Sequence, residues 1–429
     1  MLPAGSALSA WLAWLETLSP SEINLGLDRV ATVLERLPVT RPATVLTIGG
    51  TNGKGSCVAM TGALLRAAGR RTGSYTSPHI LRYNERIAID GQPVPDAEIV
   101  AAFEAIEAVR GDVELTYFEY GTLAAFLVFE RAGLDAWVLE VGMGGRLDAV
   151  NVIAPDAALI TNVALDHCDW LGPDVETIAF EKAGIMRSGR PVIFGSSDVP
   201  LAIHRQAESL GADLRLPGRD YHFGVRADGG WHWRGPQREC AELQRPGLPG
   251  EIQLGNAAAV LALIDAAGVL EALDAPQISA VLAAVRLTGR MQQLDLDGVL
   301  CLLDVAHNPA AALTLAAMLE AQSCTGRTHV IIGMLDDKDV DGVVLPLDRH
   351  VDHWIAVTAG SHRAIPASEL ARRIANCSNR PCQVVESPAA ALQAARGNTA
   401  PGDRIVVTGS FYVVGPVLEQ LHIYSRPES

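Results

Sequence analysis

A short apolar run, Ala43-Thr44-Val45-Leu46-Thr47-Ile48, ends directly in Gly49-Gly50-Thr51-Asn52-Gly53-Lys54-Gly55-Ser56. After it, Val58, Thr61, Leu64, Leu65 and Ala68 recur near helical spacing and predict a helix over 57–68. Strand, glycine loop and helix in that order form the setting of a phosphate loop. Glycines let successive amides face an anion, Lys54 brings a positive charge, and Ser56 brings a hydroxyl that can reach Mg²⁺. The bland alternative is a tight strand-to-helix turn with an incidental lysine. Four glycines with lysine and serine directly after an apolar strand favour the nucleotide reading, and ATP is the expected ligand. One glycine more than usual separates Lys54 from Ser56, which departs from ordinary kinases and GTPases.

The remaining pattern divides the chain in two. Strand candidates at 72–76, 136–141, 157–162 and 190–194 alternate with helical stretches near 96–109 and 118–132. Apolar strands separated by helices predict a mostly parallel sheet covered on both faces. Residues 221–235, with Gly229-Gly230 between two aromatic runs, read as an antiparallel hairpin, and 255–270 and 276–286 return to helix. A second α/β pattern starts near Leu287, with strands at 299–304, 329–333, 353–358, 382–386 and 404–409 and helices at 310–321, 366–376 and 387–396. The expected fold class is α/β. A phosphate-loop domain with a mostly parallel central sheet spans 1–287, and a smaller Rossmann-like α/β domain spans 288–429.

Composition narrows the partners. A formal net charge of -15 argues against general binding to nucleic acid or an anionic membrane. It leaves room for a nucleotide held by local amides, a cation and a metal. The seven cysteines are odd in number and include no Cys-x-x-Cys pair, so reduced thiols in the cytoplasm are expected. The opening Met1-Leu2-Pro3-Ala4-Gly5 lacks a basic, then apolar, leader pattern. Segment 10–30, with Trp11, Trp14 and Leu15 beside Glu16 and Glu22, reads as an amphipathic helix and a turn. No apolar run is long enough to predict a membrane span.

Further polar segments carry chemistry: Thr76-Ser77-Pro78-His79, Glu140 to Asp148, Asp166-His167-Cys168-Asp169-Trp170-Leu171-Gly172, Glu181-Lys182-Ala183-Gly184-Ile185, Gly255-Asn256, Gly289-Arg290, and Leu303-Asp304-Val305-Ala306-His307-Asn308-Pro309. With the glycine loop, and in this order from about residue 20 to 415, they closely resemble the folylpolyglutamate synthase/dihydrofolate synthase family of Mur-type ATP-dependent amide ligases.

The resemblance implies roles. Asn52, Gly53, Lys54, Gly55 and Ser56, with Asn256, Arg290 and Asp304, would hold ATP. Ser56, Ser77, Glu140, His167 and Lys182 would serve the metal sites, Mg²⁺ and two ions by expectation. Mg²⁺ prefers oxygen, so residue chemistry alone would not select His167. Lys182 would be carbamylated, whereas its plain reading is a helix-surface partner of Glu181. Lys54, Lys182 and His307 would be catalytic. Gly26, Leu27, Asp28 and Arg29, then Thr116, Tyr117, Phe118 and Glu119, with Leu147, would contact the pterin; Tyr117 and Phe118 read equally as core. Gly142, Gly144 and Gly145 suit close backbone approach, Arg146 and Asp148 can pair to brace their loop, and Asp304 and Asn308 can act as caps.

The implied substrates are dihydropteroate, tetrahydrofolate and L-glutamate, joined by a monomer without an obligate protein partner. ATP would convert a carboxylate to an acyl phosphate, which the glutamate amine then attacks. The alternatives are a folylpolyglutamate synthase without the dihydropteroate activity, another Mur-type ligase, and a phosphate-loop kinase or nucleotide switch.

Overall fold

The structure, a computed structural model, describes residues 5–18, 24–322 and 324–423. Met1 to Ala4 and Glu22, which entered the N-terminal readings, lie outside the described residues. The chain forms two compact units. The first comprises Met1–Ala164, Cys168–Gly247 and Gln253–Val285; the second comprises Leu165–His167, Leu248–Ile252 and Arg286–Ser429.

Among the described residues, the first unit is built on an eight-stranded sheet. Its strands are β1 (Thr44–Gly49), β2 (Thr72–Tyr75), β3 (Ile87–Ile89), β4 (Gln92–Pro93), β5 (Ala136–Glu140), β6 (Ala157–Ile160), β7 (Pro191–Phe194) and β8 (Asp213–Arg215). The spatial order is β4-β3-β2-β5-β1-β6-β7-β8. All neighbours run parallel except β2–β3 and β3–β4, so the antiparallel part is confined to one edge. Helices α1 (Leu8–Leu18), α2 (Asp28–Leu34), α3 (Lys54–Ala67), α4 (Asp96–Arg110), α5 (Tyr117–Arg131), α6 (Cys168–Leu171), α7 (Val175–Ala183) and α8 (Leu201–Leu210) belong to the same unit. The buried strand β5 shows why the apolar pattern works. All five of its residues are buried, and Trp137 stacks on Phe126 of α5 at 5.6 Å. Each buried side chain of this size contributes roughly 1.5–3 kcal/mol.

The expected hairpin forms from β9 (His222–Val225) and β10 (Trp231–Arg234), and β11 (Glu239–Leu243) adds a third antiparallel strand. Residues 239–243 contain no β-branched or aromatic side chain, so only pairing to β10 makes them a strand. Helices α9 (Ile252–Ala266) and α10 (Ala275–Ala284) follow. The indole of Trp233 donates to the Ala258 carbonyl, fixing the small sheet on α9.

The second unit has a six-stranded sheet in the order β12-β13-β17-β14-β15-β16. Its strands are β12 (Gln292–Leu296), β13 (Val299–Leu303), β14 (Thr328–Ile332), β15 (His353–Val357), β16 (Cys382–Val385) and β17 (Arg404–Thr408). Only the β12–β13 pair is antiparallel. Its turn, Asp297-Gly298, has φ of 59° and 85°, the left-handed pair that a two-residue hairpin requires. Helices α11 (Pro309–Ala321), α12 (Val340–Asp348), α13 (Ala367–Cys377), α14 (Pro388–Gly397) and α15 (Phe411–Gln420) complete the unit.

Two differences from the sequence reading are physical. Helix α3 begins at Lys54 rather than near 57, because Gly53 takes φ 85° and turns the chain into the helix before the apolar spacing starts. Helix α12 was missed at the sequence level, although Val340, Val343, Val344 and Leu347 bury one helical stripe. Its Pro346 and β-branched valines mask that period. No helix among the described residues is long and apolar enough to cross a membrane.

Candidate active site

In the first unit, β1 delivers Gly49 to the C-terminal edge of a parallel sheet, where such sheets place ligand groups. The following turn is pinned from β6's end. Thr51 N donates to Asn162 O at 3.0 Å, and Asn52 N donates to Asn162 Oδ1 at 3.1 Å. Gly50 has φ 137°, and a Cβ on it would stand 1.9 Å from Thr161 Oγ1, so only glycine fits. The ammonium of Lys54 donates to the carbonyls of Gly50 and Thr51, each at 3.1 Å. Lys182, 4% exposed, donates to the same Gly50 carbonyl at 3.0 Å. Lys182 is therefore no surface partner of Glu181, which instead pairs with Arg146 at 2.8 Å.

Glu140, at the end of β5, is 3% exposed and accepts from Ser77 N at 3.2 Å. A Cβ on Gly55 would lie 3.7 Å from the Glu140 carboxylate, so the phosphate loop and this acid are neighbours. Burial, aided by Glu140, pushes the Cys57 thiol far up, which keeps it neutral. Asn256 of α9 lies against Gly53, whose Cβ would meet Asn256 Oδ1 at 3.0 Å. The structure thus gathers Asn52, Gly53, Lys54, Gly55, Ser56, Ser77, Glu140, Lys182 and Asn256 in one unit. Among the described residues, no three His, Cys, Asp or Glu side chains cluster as a metal site. The Glu140 carboxylate beside the Ser77 segment is a hard oxygen donor of the kind Mg²⁺ prefers.

The pterin candidates also come together. Gly26 N donates to Leu147 O at 3.3 Å, and Arg29, on α2 beside Leu27 and Asp28, pairs with Glu119 at 2.8 Å. Glu119 additionally accepts from Thr116 N at 2.7 Å in a capping box that starts α5. Its carboxylate is buried, and these bonds lock α5 to α2. Phe118 presses on Gly142, where a Cβ would sit 2.6 Å from the ring. Arg146 and Asp148 do not pair. Asp148 turns inward to accept from Met143 N and Val150 N, while Arg146 reaches Glu181. Burial pushes the Asp148 carboxyl up to about 6 despite those amides.

In the second unit, Asp304 follows β13 and accepts from Met291 N and Ala306 N, each at 2.9 Å. Burial raises its pKa, against the pull of Arg290 and the two amides. Arg290 lies 5.1 Å over the Phe411 ring. His307 Nδ1 donates to Val305 O at 2.8 Å, which leaves Nε2 as the acceptor of a neutral ring. Burial lowers its pKa, outweighing the Asp166 carboxylate. Asn308 caps α11 through Ala311 N, as one of its readings expected. His167 packs with this unit at φ 53°, next to Asp166. Asp166 bonds Lys338 at 2.8 Å and Asn308 at 2.9 Å. Burial would raise its pKa, but His167, Lys338 and His307 hold it well below the usual carboxylate range. Sequence reasoning gave no role to Lys338 or Phe411; an apolar-flanked Asp-Asp-Lys-Asp and a Ser-Phe after a strand were the available signals.

Comparison with known proteins agrees over nearly the whole chain. The Mur ligase middle domain matches residues 48–198, and the Mur ligase glutamate ligase domain matches 289–411. The dihydrofolate synthase/folylpolyglutamate synthase of Escherichia coli (strain K12) is 40% identical over 417 residues, covering 97% of this chain and 96% of that one. The Haemophilus influenzae protein of the same name is 37% identical, covering 96% and 97%. The chain belongs to the dihydrofolate synthase/folylpolyglutamate synthase family. It is an ATP-dependent amide ligase with the α/β architecture of that family. Escherichia coli FolC, solved in complex with DHPP and ADP, superposes with a TM-score of 0.92 at 39% identity, covering 99% of each chain. The Yersinia pestis enzyme, solved with AMPPNP and a Mn ion, gives 0.90 at 41% identity, covering 98% of this chain and 100% of that one.

Proposed function

We propose that this enzyme joins L-glutamate to dihydropteroate, giving dihydrofolate, and extends tetrahydrofolate with further glutamates, using ATP through an acyl phosphate in the cytoplasm. The supporting observation is the meeting of Lys54 and Lys182 on the single carbonyl of Gly50, with Glu140 beside the same loop. Such an arrangement would manage charge around a polyphosphate. The seven cysteines are all free.

The loop amides and Lys54 hold the phosphates, and Asn256 borders them at Gly53. Within the second unit, the same reading assigns Arg290 and Asp304 to the nucleotide, with residues 288–429 as the glutamate-ligase domain and 1–287 as the ATP and pterin domain. Ser56, Ser77, Glu140 and His167 are the residues that would hold Mg²⁺, as two ions. When bound, the metal supplies charge that offsets the developing negative charge on the phosphoryl oxygens. Two ammonium groups on one carbonyl repel each other, and carbamylation of buried Lys182 would turn one cation into an anion. The acceptor carboxylate attacks the γ-phosphate and ADP leaves. The glutamate amine then attacks the acyl carbon, phosphate departs, and neutral His307 Nε2 takes a proton from the amine. Gly26, Leu27, Asp28, Tyr117, Phe118 and Leu147 line the pterin, with Arg29, Thr116 and Glu119 as their frame.

ATP cleavage should require both dihydropteroate and L-glutamate and should yield dihydrofolate. Labelled glutamate should also enter tetrahydrofolate. Phosphate release that is unchanged when glutamate is omitted would overturn the assignment.

A further inference from the structure

Arg86, immediately before β3, is 9% exposed, yet no carboxylate among the described residues lies within ion-pair distance of it. A guanidinium so buried loses hydration and needs compensation. Its neighbours provide only part. The Arg86 Nε donates to His79 Nδ1 at 2.9 Å. The guanidinium carbon lies 5.3 Å from the centre of the Tyr83 ring and 5.6 Å from that of Tyr117. Those contacts orient the group and leave its two terminal nitrogens, the edge that binds carboxylates in bidentate fashion, without an acceptor among the described residues.

The adjacent acid is no counter-ion. Glu85 accepts from the amides of Ile80, Leu81 and Arg82 at 2.6–2.8 Å, which shapes the loop between Ser77 and Arg86. The loop is anchored at both ends, by Ser77 N on Glu140 and by Thr76 N on Arg86 O. Tyr117 is the first residue of α5, so the ring under the guanidinium sits at the positive end of a fifteen-residue helix. A preorganised cation, an aromatic platform and a helix N-terminus make a receptor for one planar anion.

We propose that Arg86 binds a carboxylate of the pterin-bearing acceptor and so sets the acceptor's affinity, an inference that rests on the acceptor assignment above. Dihydropteroate carries only the carboxylate that reacts, whereas tetrahydrofolate carries a spectator α-carboxylate as well, and the two acceptors separate these sources.

The test uses the full-length enzyme and its Arg86→Gln and Arg86→Lys variants, with KM for each acceptor, for ATP and for L-glutamate. Losing a charge-assisted bond should raise acceptor KM roughly 10–100-fold in Arg86→Gln. ATP and glutamate KM should stay within about twofold, and Arg86→Lys should recover part of the loss. A rise for both acceptors assigns the reacting carboxylate; a rise for tetrahydrofolate alone assigns the spectator. On the unmodified enzyme, pteroate should bind more tightly than its carboxamide, and the preference should collapse in the variants. Unchanged acceptor KM in folded variants, or a carboxylate preference that survives in Arg86→Gln, overturns the proposal. If Arg86→Gln does not fold, Arg86→Lys and the wild-type carboxamide comparison decide. A wild-type enzyme that never makes dihydrofolate or extends tetrahydrofolate fails the acceptor assignment itself, whatever Arg86 does.

Discussion

After β1 the chain enters α3 through glycines, and backbone amides and a lysine carry the turn. After β13 it enters α11 through Asp304, Val305, Ala306 and His307, and a buried carboxylate holds the turn by two amides. Both are strand-to-helix turns at the end of a parallel strand. In the first, by the proposed function, the first-turn amides of α3 serve a phosphate, since the first amides of any helix have no intrahelical partner. The second is braced by Asp304, which accepts from Ala306 N within the turn and from Met291 N ahead of β12, and it carries His307. The first unit also has a turn of the second kind, where Asp148 holds Met143 and Val150. Backbone readiness for a phosphate and side-chain rigidity are therefore separate devices, and mutations should separate them.

Lys54→Ala should lower kcat about 10²–10³-fold while leaving the melting temperature nearly unchanged, because its charge acts on the transferred phosphate. Activity within a few-fold of wild type would reduce the loop to a structural turn. Asp304→Ala should instead show its largest effect in stability. Two buried amides lose their acceptor, and denaturant unfolding should show a loss of about 2–4 kcal/mol, with Asp304→Asn milder. Unaltered stability would mean that solvent or another acceptor replaces the carboxylate.

Asp148 adds a pH arm. The unfolded chain titrates at the ordinary carboxylate value of 3.8, and burial lifts the folded value to about 6. The folded state thus holds the proton more tightly, so this stability is present below the unfolded value and lost as pH rises through about 6. Melting curves across that window should show Asp148→Asn gaining on wild type as pH climbs; parallel curves would refute the buried-acid reading. Gly53→Ala should give the smallest effect, roughly 1–2 kcal/mol, from φ 85° and the 3.0 Å approach to Asn256. Nucleotide affinity should weaken with it, and unchanged ADP binding would detach Gly53 from the site.

Local pattern made much of this legible. The apolar strand, the glycines and the helix that follow one another at 43–68 identify the loop without tertiary knowledge, and five of the second unit's strands stand out by apolar runs. The Asp297-Gly298 hairpin carries an equally local signal, but the strand reading began at 299 and passed over β12. Other features lay beyond reach. Arg146 chose Glu181 over the nearer Asp148, because Asp148 turns inward toward amides and Arg146 remains at the surface. Glu119 looked free for a ligand until Arg29, ninety residues earlier, engaged it.

The sequence alone determined the chemistry at the loop, because glycine conformations, a helix start and a lysine's reach are local matters. Tertiary structure decided which charges are buried and which are answered. Lys182 reaches a carbonyl 132 residues away, and Arg86 lies against two aromatic rings with no acid in ion-pair reach among the described residues. Desolvation and pairing depend on what distant segments bring to the same point, and no short window of residues contains that information.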